Sequence, residues 1–167
     1  MQFPKLTRSI VYGGVDGIIT MFNIMSGITG AELKPKYILV LGLATLIADA
    51  ISMGTSDFLS TKANNKINKQ DDNPIKHGAT TFISFIFFGM IPLFTFFILY
   101  YTTKLNHKTI FINSYISTFI SLFILGIYQS KLTEEVWYKK SISVSLYGTV
   151  AAICSFYLGR GLNKLLK

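Results

Sequence analysis

Long apolar runs alternate with short polar stretches along the 167 residues of this chain. Five of these runs approach or exceed the roughly 20 residues that an α-helix needs to cross a bilayer. None alternates apolar and polar residues as the strands of a membrane barrel do, and backbone groups in lipid must be paired within their own segment. The pattern therefore predicts an all-α membrane protein with a single domain over residues 1–167. Its five helices are expected at Ile10–Ala31, Tyr37–Leu59, Thr80–Tyr101, Ile110–Tyr128 and Ser141–Leu158.

The composition supports this prediction. Half of the residues are apolar and 14% are charged, against about 25% charged residues in an average soluble domain. The net charge of +8 comes from lysines and arginines that flank the apolar runs, where basic side chains contact lipid headgroups. We therefore expect membrane lipid, and no nucleic acid, as a partner. The single cysteine, Cys154, excludes an internal disulfide.

The distribution of positive charge favours a cytosolic N-terminus, because short cytosolic loops carry an excess of Lys and Arg. Counted over all loops the excess is small, nine residues against seven. Across the first two helices it is six against two. The predicted cytosolic side then holds Lys5, Arg8, Lys62, Lys66, Lys69 and Lys76, and the opposite side holds Lys34 and Lys36.

The longest polar stretch separates the second and third helices and ends in Asn73-Pro74. Asn is a preferred N-cap residue, and Pro is favoured at the first helical position. The third helix is therefore predicted to begin outside the hydrocarbon and to run into the membrane.

The second helix carries two aspartates in a segment otherwise suited to lipid. Ten Leu, Ile, Val and Phe residues favour its insertion by about 5 kcal/mol, at roughly 0.5 kcal/mol each. Asp49, near the centre, costs about 2.5–3.5 kcal/mol, and Asp57, nearer one end, costs somewhat less. The two acids cancel most of the driving force. Such residues normally face a protein interior or water, and they mark ion or proton pathways.

Spacing places these acids on one stripe of the helix. Residues four apart lie on the same face, and the stripe contains Thr45, Asp49, Met53 and Asp57. Carboxylate oxygens suit Mg²⁺ and Ca²⁺, whereas an added sulfur ligand shifts the preference toward a first-row transition metal. The alternative interpretation is that Met53 only packs, and that the aspartates pair with lysines or cap a break at Gly54.

The first helix has a matching polar face of small and polar residues at steps of four and three, namely Asp16, Thr20, Asn23, Gly27 and Gly30. Gly13 and Gly17 form a small-xxx-small pair suited to close helix contact. Met21 and Met25 are further candidate ligands, although packing is the simpler role for each. No nucleophile–base pair, phosphate loop or zinc motif is found, and His77 and His107 lack metal-ligand spacing. We therefore predict neither an enzyme nor a permanently bound cofactor.

Two segments, "YGGVDGIITMFNIMSGITGA" and "LGLATLIADAISMGTSDFLSTKA", resemble the vacuolar iron transporter family, which includes yeast Ccc-type and plant nodulin-like transporters. "NPIKHGATTFISFIFFGMIPL" is similar to the third helix of that family and "GTVAAICSFYLGRGL" to the last, so the resemblance spans nearly the whole chain. Its most specific parts are "DGI" in the first helix and "ISMG" in the second.

The resemblance implies a five-helix protomer with a cytosolic N-terminus, working as a homodimer with a pathway between the two first helices. It implies export of cytosolic Fe²⁺, and often Mn²⁺, into a vacuole-like compartment in exchange for protons. By motif, Asp16 matches the aspartate of the family's first helix, and Met53 matches the methionine of "SMG". Asp57 falls where many members have an acid.

The chain departs from the family pattern at two points. Many members have a glutamate at the position of Thr45, and Asp49, one turn along, is the residue that could replace it. Members with a cytosolic metal-binding domain carry a long acidic insertion between the second and third helices, whereas this loop is short and rich in lysine. Nodulin-like members also lack that insertion.

These observations predict a transporter of divalent metal that works by proton antiport. Its predicted metal ligands are Asp16, Asp49, Met53 and Asp57, with Thr20, Asn23 and Thr45 lining the pathway. Two alternatives remain: a membrane scaffold derived from a transporter, and a passive cation channel without dependence on a pH gradient.

Overall fold

A computed structural model describes residues 6–104 and 106–166, without the side chain of Leu132. Lys5 and Lys167, which contribute to the charge count above, lie outside the described residues. Within the described ranges the chain forms five α-helices and no strand. They are α1 (Thr7–Gly30), α2 (Lys36–Asn68), α3 (Pro74–Thr102), α4 (His107–Thr133) and α5 (Trp137–Leu165). All five are long and apolar enough to cross a membrane, so the predicted fold class is confirmed.

The second helix is longer than its apolar pattern indicated. It ends at Asn68 instead of Leu59, because the polar segment after Leu59 contains no Pro or Gly to stop it. Lys69 then adopts the left-handed conformation that closes the helix. The Asn65 side chain accepts a hydrogen bond from the backbone N–H of Asp72 and donates one to the backbone carbonyl of Asp72. These two hydrogen bonds hold the turn into α3.

The predicted start of α3 is confirmed. The Asn73 side chain accepts a hydrogen bond from the backbone N–H of Lys76 at 3.2 Å, and Pro74 is the first helical residue. Six residues of the helix thus precede Thr80, where the continuous apolar run begins.

Helix α1 lies at the centre of the bundle and packs against all four other helices. On one side Met21 and Met25 join a buried cluster with residues of α2, α3 and α4, including Leu46 and Phe85. On another side Ile18 joins a second cluster with Leu122, Leu125 and Val144 of α4 and α5. We call the end where α1, α3 and α5 begin the N-terminal end of the bundle.

Glycines allow α1 to approach α3 closely. A Cβ atom added at Gly13 would lie 2.5 Å from the Thr81 carbonyl oxygen, and one added at Gly17 would lie 2.5 Å from that of Phe85. Both distances are too short for any side chain larger than hydrogen, and the atoms in the way belong to a backbone that cannot turn aside. The predicted small-xxx-small contact therefore joins α1 to α3.

We expect Gly17→Ala to lower the free energy of unfolding by about 1–3 kcal/mol, the usual cost of overpacking a close contact. Thermal unfolding in detergent measures this change. Gly161→Ala is the matched control, because a Cβ atom at Gly161 meets nothing within 4 Å. Equal melting temperatures for the two variants would contradict the close α1–α3 approach.

Candidate functional site

One face of α1 is not covered by the other helices. Tyr12 is exposed on it, and the partly exposed residues Asp16, Thr20, Asn23 and Gly27 continue the face along the helix. Helix α5 borders the face on one side, where Ile19 packs against Gly148. Helix α2 borders it on the other side, through Asp49. The polar stripe predicted on the first helix is therefore a partly exposed face between α2 and α5, which we call the groove, and it is not part of the packed core.

Asp16 of α1 and Asp49 of α2 lie close enough for their charges to interact. Both side chains are partly exposed, and the charge of Asp49 acts unfavourably on Asp16. Within the described residues neither carboxylate takes part in a hydrogen bond or an ion pair. Two acids from neighbouring membrane helices thus repel each other, and no described residue supplies a donor or a cation to compensate them, an arrangement that favours binding of a positive ion.

Asn23 adds an oxygen to the same face. Its Oδ1 atom is buried and has no hydrogen-bond partner in the part of the chain that the structure describes. A buried polar atom without a partner is costly, and an amide oxygen is also a ligand for hard cations. Asn23 lies two turns beyond Asp16 on the same face of α1, with its Oδ1 atom beneath the surface of that face.

The other predicted site residues of α2 lie near Asp49. Thr45 and Met53 are partly exposed, one turn to either side. Met53 also packs against the buried cluster of α1, α2 and α3, so a packing role accounts for part of its environment. Met21 and Met25 are fully buried inside that cluster, on a side of α1 away from Asp16, which leaves them a packing role.

Asp57 has surroundings very different from those of Asp49. It is 6% exposed, and both of its carboxylate oxygens already have partners. Oδ2 accepts hydrogen bonds from Ser9 Oγ at 2.6 Å and from Thr81 Oγ1 at 2.5 Å, and Oδ1 lies 3.4 Å from the Arg8 guanidinium. Residues of α1 and α3 therefore surround this carboxylate of α2.

His77 completes the arrangement. Its Nδ1 atom lies 2.9 Å from Ser9 Oγ. Because the single hydroxyl proton of Ser9 is donated to Asp57, the imidazole must donate from Nδ1–H. The Arg8 side chain is 71% exposed, so its ion pair with Asp57 contributes little. The buried hydroxyl donors hold the carboxylate and tie the first three helices together at the N-terminal end.

Asp57 was predicted to bind metal together with Asp16 and Asp49, and that assignment stays a prediction. Among the described residues no three His, Cys, Asp or Glu side chains converge as a metal-binding group. Asp16 and Asp49 are thus brought together, while Asp57 is engaged elsewhere by hydrogen bonds. One chain supplies two free carboxylates, fewer ligands than a transition metal normally takes.

The roles of Ser9, Thr81 and His77 around Asp57 could not be predicted from the sequence. Ser9 is 48 positions from Asp57 in the sequence, and Thr81 is 24 positions from it. His77 is 68 positions from Ser9. No spacing rule connects residues so far apart. The only available signal was Asp57 itself, because an acid in an apolar helix requires donors from somewhere.

Comparison with known proteins gives a consistent result. The VIT family model matches residues 7–73 and 62–160 of the chain. The vacuolar iron transporter of Plasmodium berghei (strain Anka) is 28% identical over 220 residues, and the alignment covers 91% of this chain and 80% of that protein. The vacuolar iron transporter of Plasmodium falciparum (isolate 3D7) is 28% identical over 225 residues, with the same coverage. That of Toxoplasma gondii (strain ATCC 50861 / VEG) is 46% identical over 56 residues, covering 34% of this chain and 18% of that protein.

These comparisons bear on the connection between α2 and α3. Both Plasmodium alignments are longer than the 167-residue chain, so those proteins contain residues that have no counterpart here. The two segments matched by the family model overlap over residues 62–73. These residues form the end of α2 and the turn into α3.

We expect Asp57→Asn to lower the free energy of unfolding by about 1.5–3 kcal/mol, the value of a hydrogen bond to a charged group. Thermal unfolding in detergent measures the change, with Asp71→Asn as the control because Asp71 is an exposed acid of the α2–α3 turn. If Asp57 has a structural role, any rise in melting temperature that Fe²⁺ produces in the unmodified protein should persist in the variant. A variant that keeps its stability but loses this rise would identify Asp57 as a metal ligand.

Proposed function

Because this chain belongs to the VIT family, we propose that it exports Fe²⁺ from the cytosol into a vacuole-like compartment in exchange for protons. Mn²⁺ is its second cargo. The observation that carries this proposal is the pair of uncompensated carboxylates, Asp16 and Asp49, in the open groove of a membrane-spanning bundle. The vacuolar iron transporters of the two Plasmodium species support the choice of cargo.

The two neighbouring carboxylates repel each other until a positive charge binds between them. A divalent cation that reaches the groove exchanges part of its hydration for the oxygens of Asp16 and Asp49. Asn23, two turns further along α1, offers the next oxygen on the same face. Because these oxygens follow one another along the helix, the cation moves between partial sites instead of remaining in a closed cage.

Met53 is the residue that discriminates between metals. A thioether binds Mg²⁺ poorly and a first-row transition metal better, and the affinity of mixed sites rises from Mn²⁺ to Fe²⁺. We assign to Asp49 the role of the glutamate that many family members carry at the position of Thr45. The spacing of four residues between them keeps Asp49 on the same stripe of α2.

Proton coupling follows from the same acids. When the cation leaves, the two carboxylates again face each other in a poorly solvated groove, and binding a proton is the simplest way to relieve their repulsion. Protons and metal therefore compete for the same oxygens. A higher proton concentration in the compartment therefore favours release of the metal there.

A second copy of the chain completes the site. If the open faces of α1 pair about a two-fold axis, as in an isologous dimer, four carboxylates and two thioethers surround one pathway. Helix α2 extends this pathway at the N-terminal end, which we place in the cytosol because Arg8, Lys62, Lys66 and Lys69 lie there.

We expect Asp16→Asn and Asp49→Asn each to abolish pH-gradient-dependent uptake of Fe²⁺ into proteoliposomes. Each change keeps the side-chain shape and removes the charge that attracts the cation. Asp71→Asn, outside the groove, should transport normally. Flux without any effect of the pH gradient would identify a passive channel, and absence of flux in the unmodified protein would identify a scaffold; either result contradicts the proposal.

We expect Met53→Leu to keep Fe²⁺ uptake while weakening its discrimination against Mg²⁺, because leucine fills similar volume without the sulfur atom. Competition of Mg²⁺ with Fe²⁺ uptake measures the change. Leu59→Met, on the exposed surface of α2, controls for the methionine content. Unchanged competition would assign Met53 to packing alone.

We expect Thr20→Cys, in a Cys154→Ser background, to form an intermolecular disulfide in membranes under mild oxidation. Thr20 lies on the open face of α1, where the two copies are closest. The product should migrate at about twice the 18.7 kDa of the chain. Ile124→Cys, on the outward surface of α4, is the control, and cross-linking through Ile124 instead of Thr20 would contradict this dimer.

A further inference from the structure

A polar cavity lies beside the groove at the N-terminal end of the bundle. Its volume is about 330 Å³, and residues of α1, α4, α5 and the α4–α5 turn line it. Val15 and Ile19 form its wall toward Asp16, so the groove and this cavity lie side by side along the same stretch of α1. The polar lining residues are Gln129, Glu135, Lys140, Ser143 and Tyr147.

The cavity contains both a positive and a negative group. Lys140 Nζ donates to Glu135 Oε1 at 3.0 Å, and this hydrogen bond holds the pKa of Glu135 below its usual range. The carboxylate is therefore ionised at neutral pH. An ammonium group has three protons, so Lys140 keeps donors for a further acceptor.

Gln129 supplies the second observation. Its Oε1 atom is buried and has no hydrogen-bond partner within the described residues. An amide oxygen buried without a donor costs free energy, and this one lies in the wall of a cavity large enough for a small polar group. The occupant that relieves this cost must bring a donor.

The cavity also lies at the level of the membrane interface. Trp137 and Tyr138, exposed at the start of α5, belong to the aromatic belt that marks this level. Tyr147 is 72% exposed, so the cavity reaches the outer surface of the bundle, where Leu146 and Val150 face outward. A molecule in the cavity can therefore keep an apolar tail in the lipid.

We propose that this cavity binds the headgroup of a phospholipid that carries a primary ammonium group, phosphatidylethanolamine being the probe of this class. The ammonium donates to Gln129 Oε1 and to the Glu135 carboxylate. The phosphate accepts from Lys140, with the hydroxyl groups of Ser143 and Tyr147 as further donors. The acyl chains lie along Leu146 and Val150.

The charges of the cavity favour this headgroup over others. Lys140 and Glu135 balance each other, so a purely anionic headgroup would place its phosphate against an uncompensated Glu135. A choline headgroup brings a positive charge but has no N–H, and it leaves Gln129 Oε1 without a donor. Only a headgroup with both phosphate and N–H groups satisfies all three side chains.

The test uses the full-length protein in nanodiscs made of equal parts phosphatidylethanolamine and phosphatidylcholine, followed by native mass spectrometry of the lipids retained. The unmodified protein should retain phosphatidylethanolamine preferentially. Gln129→Leu should lower this preference about tenfold, the effect of losing one hydrogen bond to a charged group. Lys140→Gln removes the contact to the phosphate that both lipids share, so it should lower the total amount of lipid retained about tenfold. Lys139→Gln, an exposed lysine outside the cavity, should leave both unchanged.

Three results would overturn the proposal. The first is equal retention of the two lipids by the unmodified protein, and the second is a loss of lipid binding in Lys139→Gln as large as that in the cavity variants. The third is displacement of the lipid by soluble phosphoethanolamine at matched concentration, because this result would identify a free metabolite as the ligand. Melting temperatures show that each variant is folded. Gln129→Leu should be at least as stable as the unmodified protein in detergent without lipid, because it removes an unsatisfied buried oxygen.

Discussion

The negative charge of a carboxylate inside a membrane-spanning helix must be compensated by hydrogen-bond donors or by a cation. Helix α2 contains one carboxylate that has such donors and one that does not. Asp57 accepts hydrogen bonds from buried hydroxyl groups of α1 and α3, so its cost is met within the folded chain. Asp49, two turns earlier, interacts unfavourably with Asp16, and no described residue donates a hydrogen bond to it. The first acid stabilises one arrangement of three helices. The second acid, Asp49, leaves negative charge that a bound cation can compensate, and a pathway for cations requires such charge.

The close packing of α1 fixes the position of the uncompensated carboxylates. Gly13 and Gly17 bring α1 against the backbone of α3, and the hydrogen bonds around Asp57 hold the same helices to α2. Asp16, next to Gly17, is therefore held on a rigid helix whose opposite side is buried. Because neither α1 nor α2 can easily turn its acid away, the repulsion between Asp16 and Asp49 is relieved by binding an ion or a proton more readily than by moving a helix.

The sequence was sufficient to predict the five helices, since apolar length alone sets a membrane span, and to place Asp16 and Asp49 on polar stripes, since spacing within one helix is regular. It did not reveal the length of α2, because the polar residues after Leu59 continue a helix that hydropathy cannot detect. Nor did it separate Asp49 from Asp57. Asp57 differs from Asp49 above all because Ser9 and Thr81, which come from distant parts of the chain, meet it through tertiary packing.

The two sides of α1 suggest how transport and membrane are connected. Toward α2 its surface carries Asp16, which has no hydrogen-bond partner among the described residues, and toward α5 the same turn forms the wall of a cavity that contains a balanced ion pair. The first surface attracts cations, whereas the second has no net charge to compete for them. A lipid headgroup beside Val15 and Ile19 would therefore support the helix that carries Asp16 without neutralising it, and the groove remains the place where an entering cation finds uncompensated oxygen.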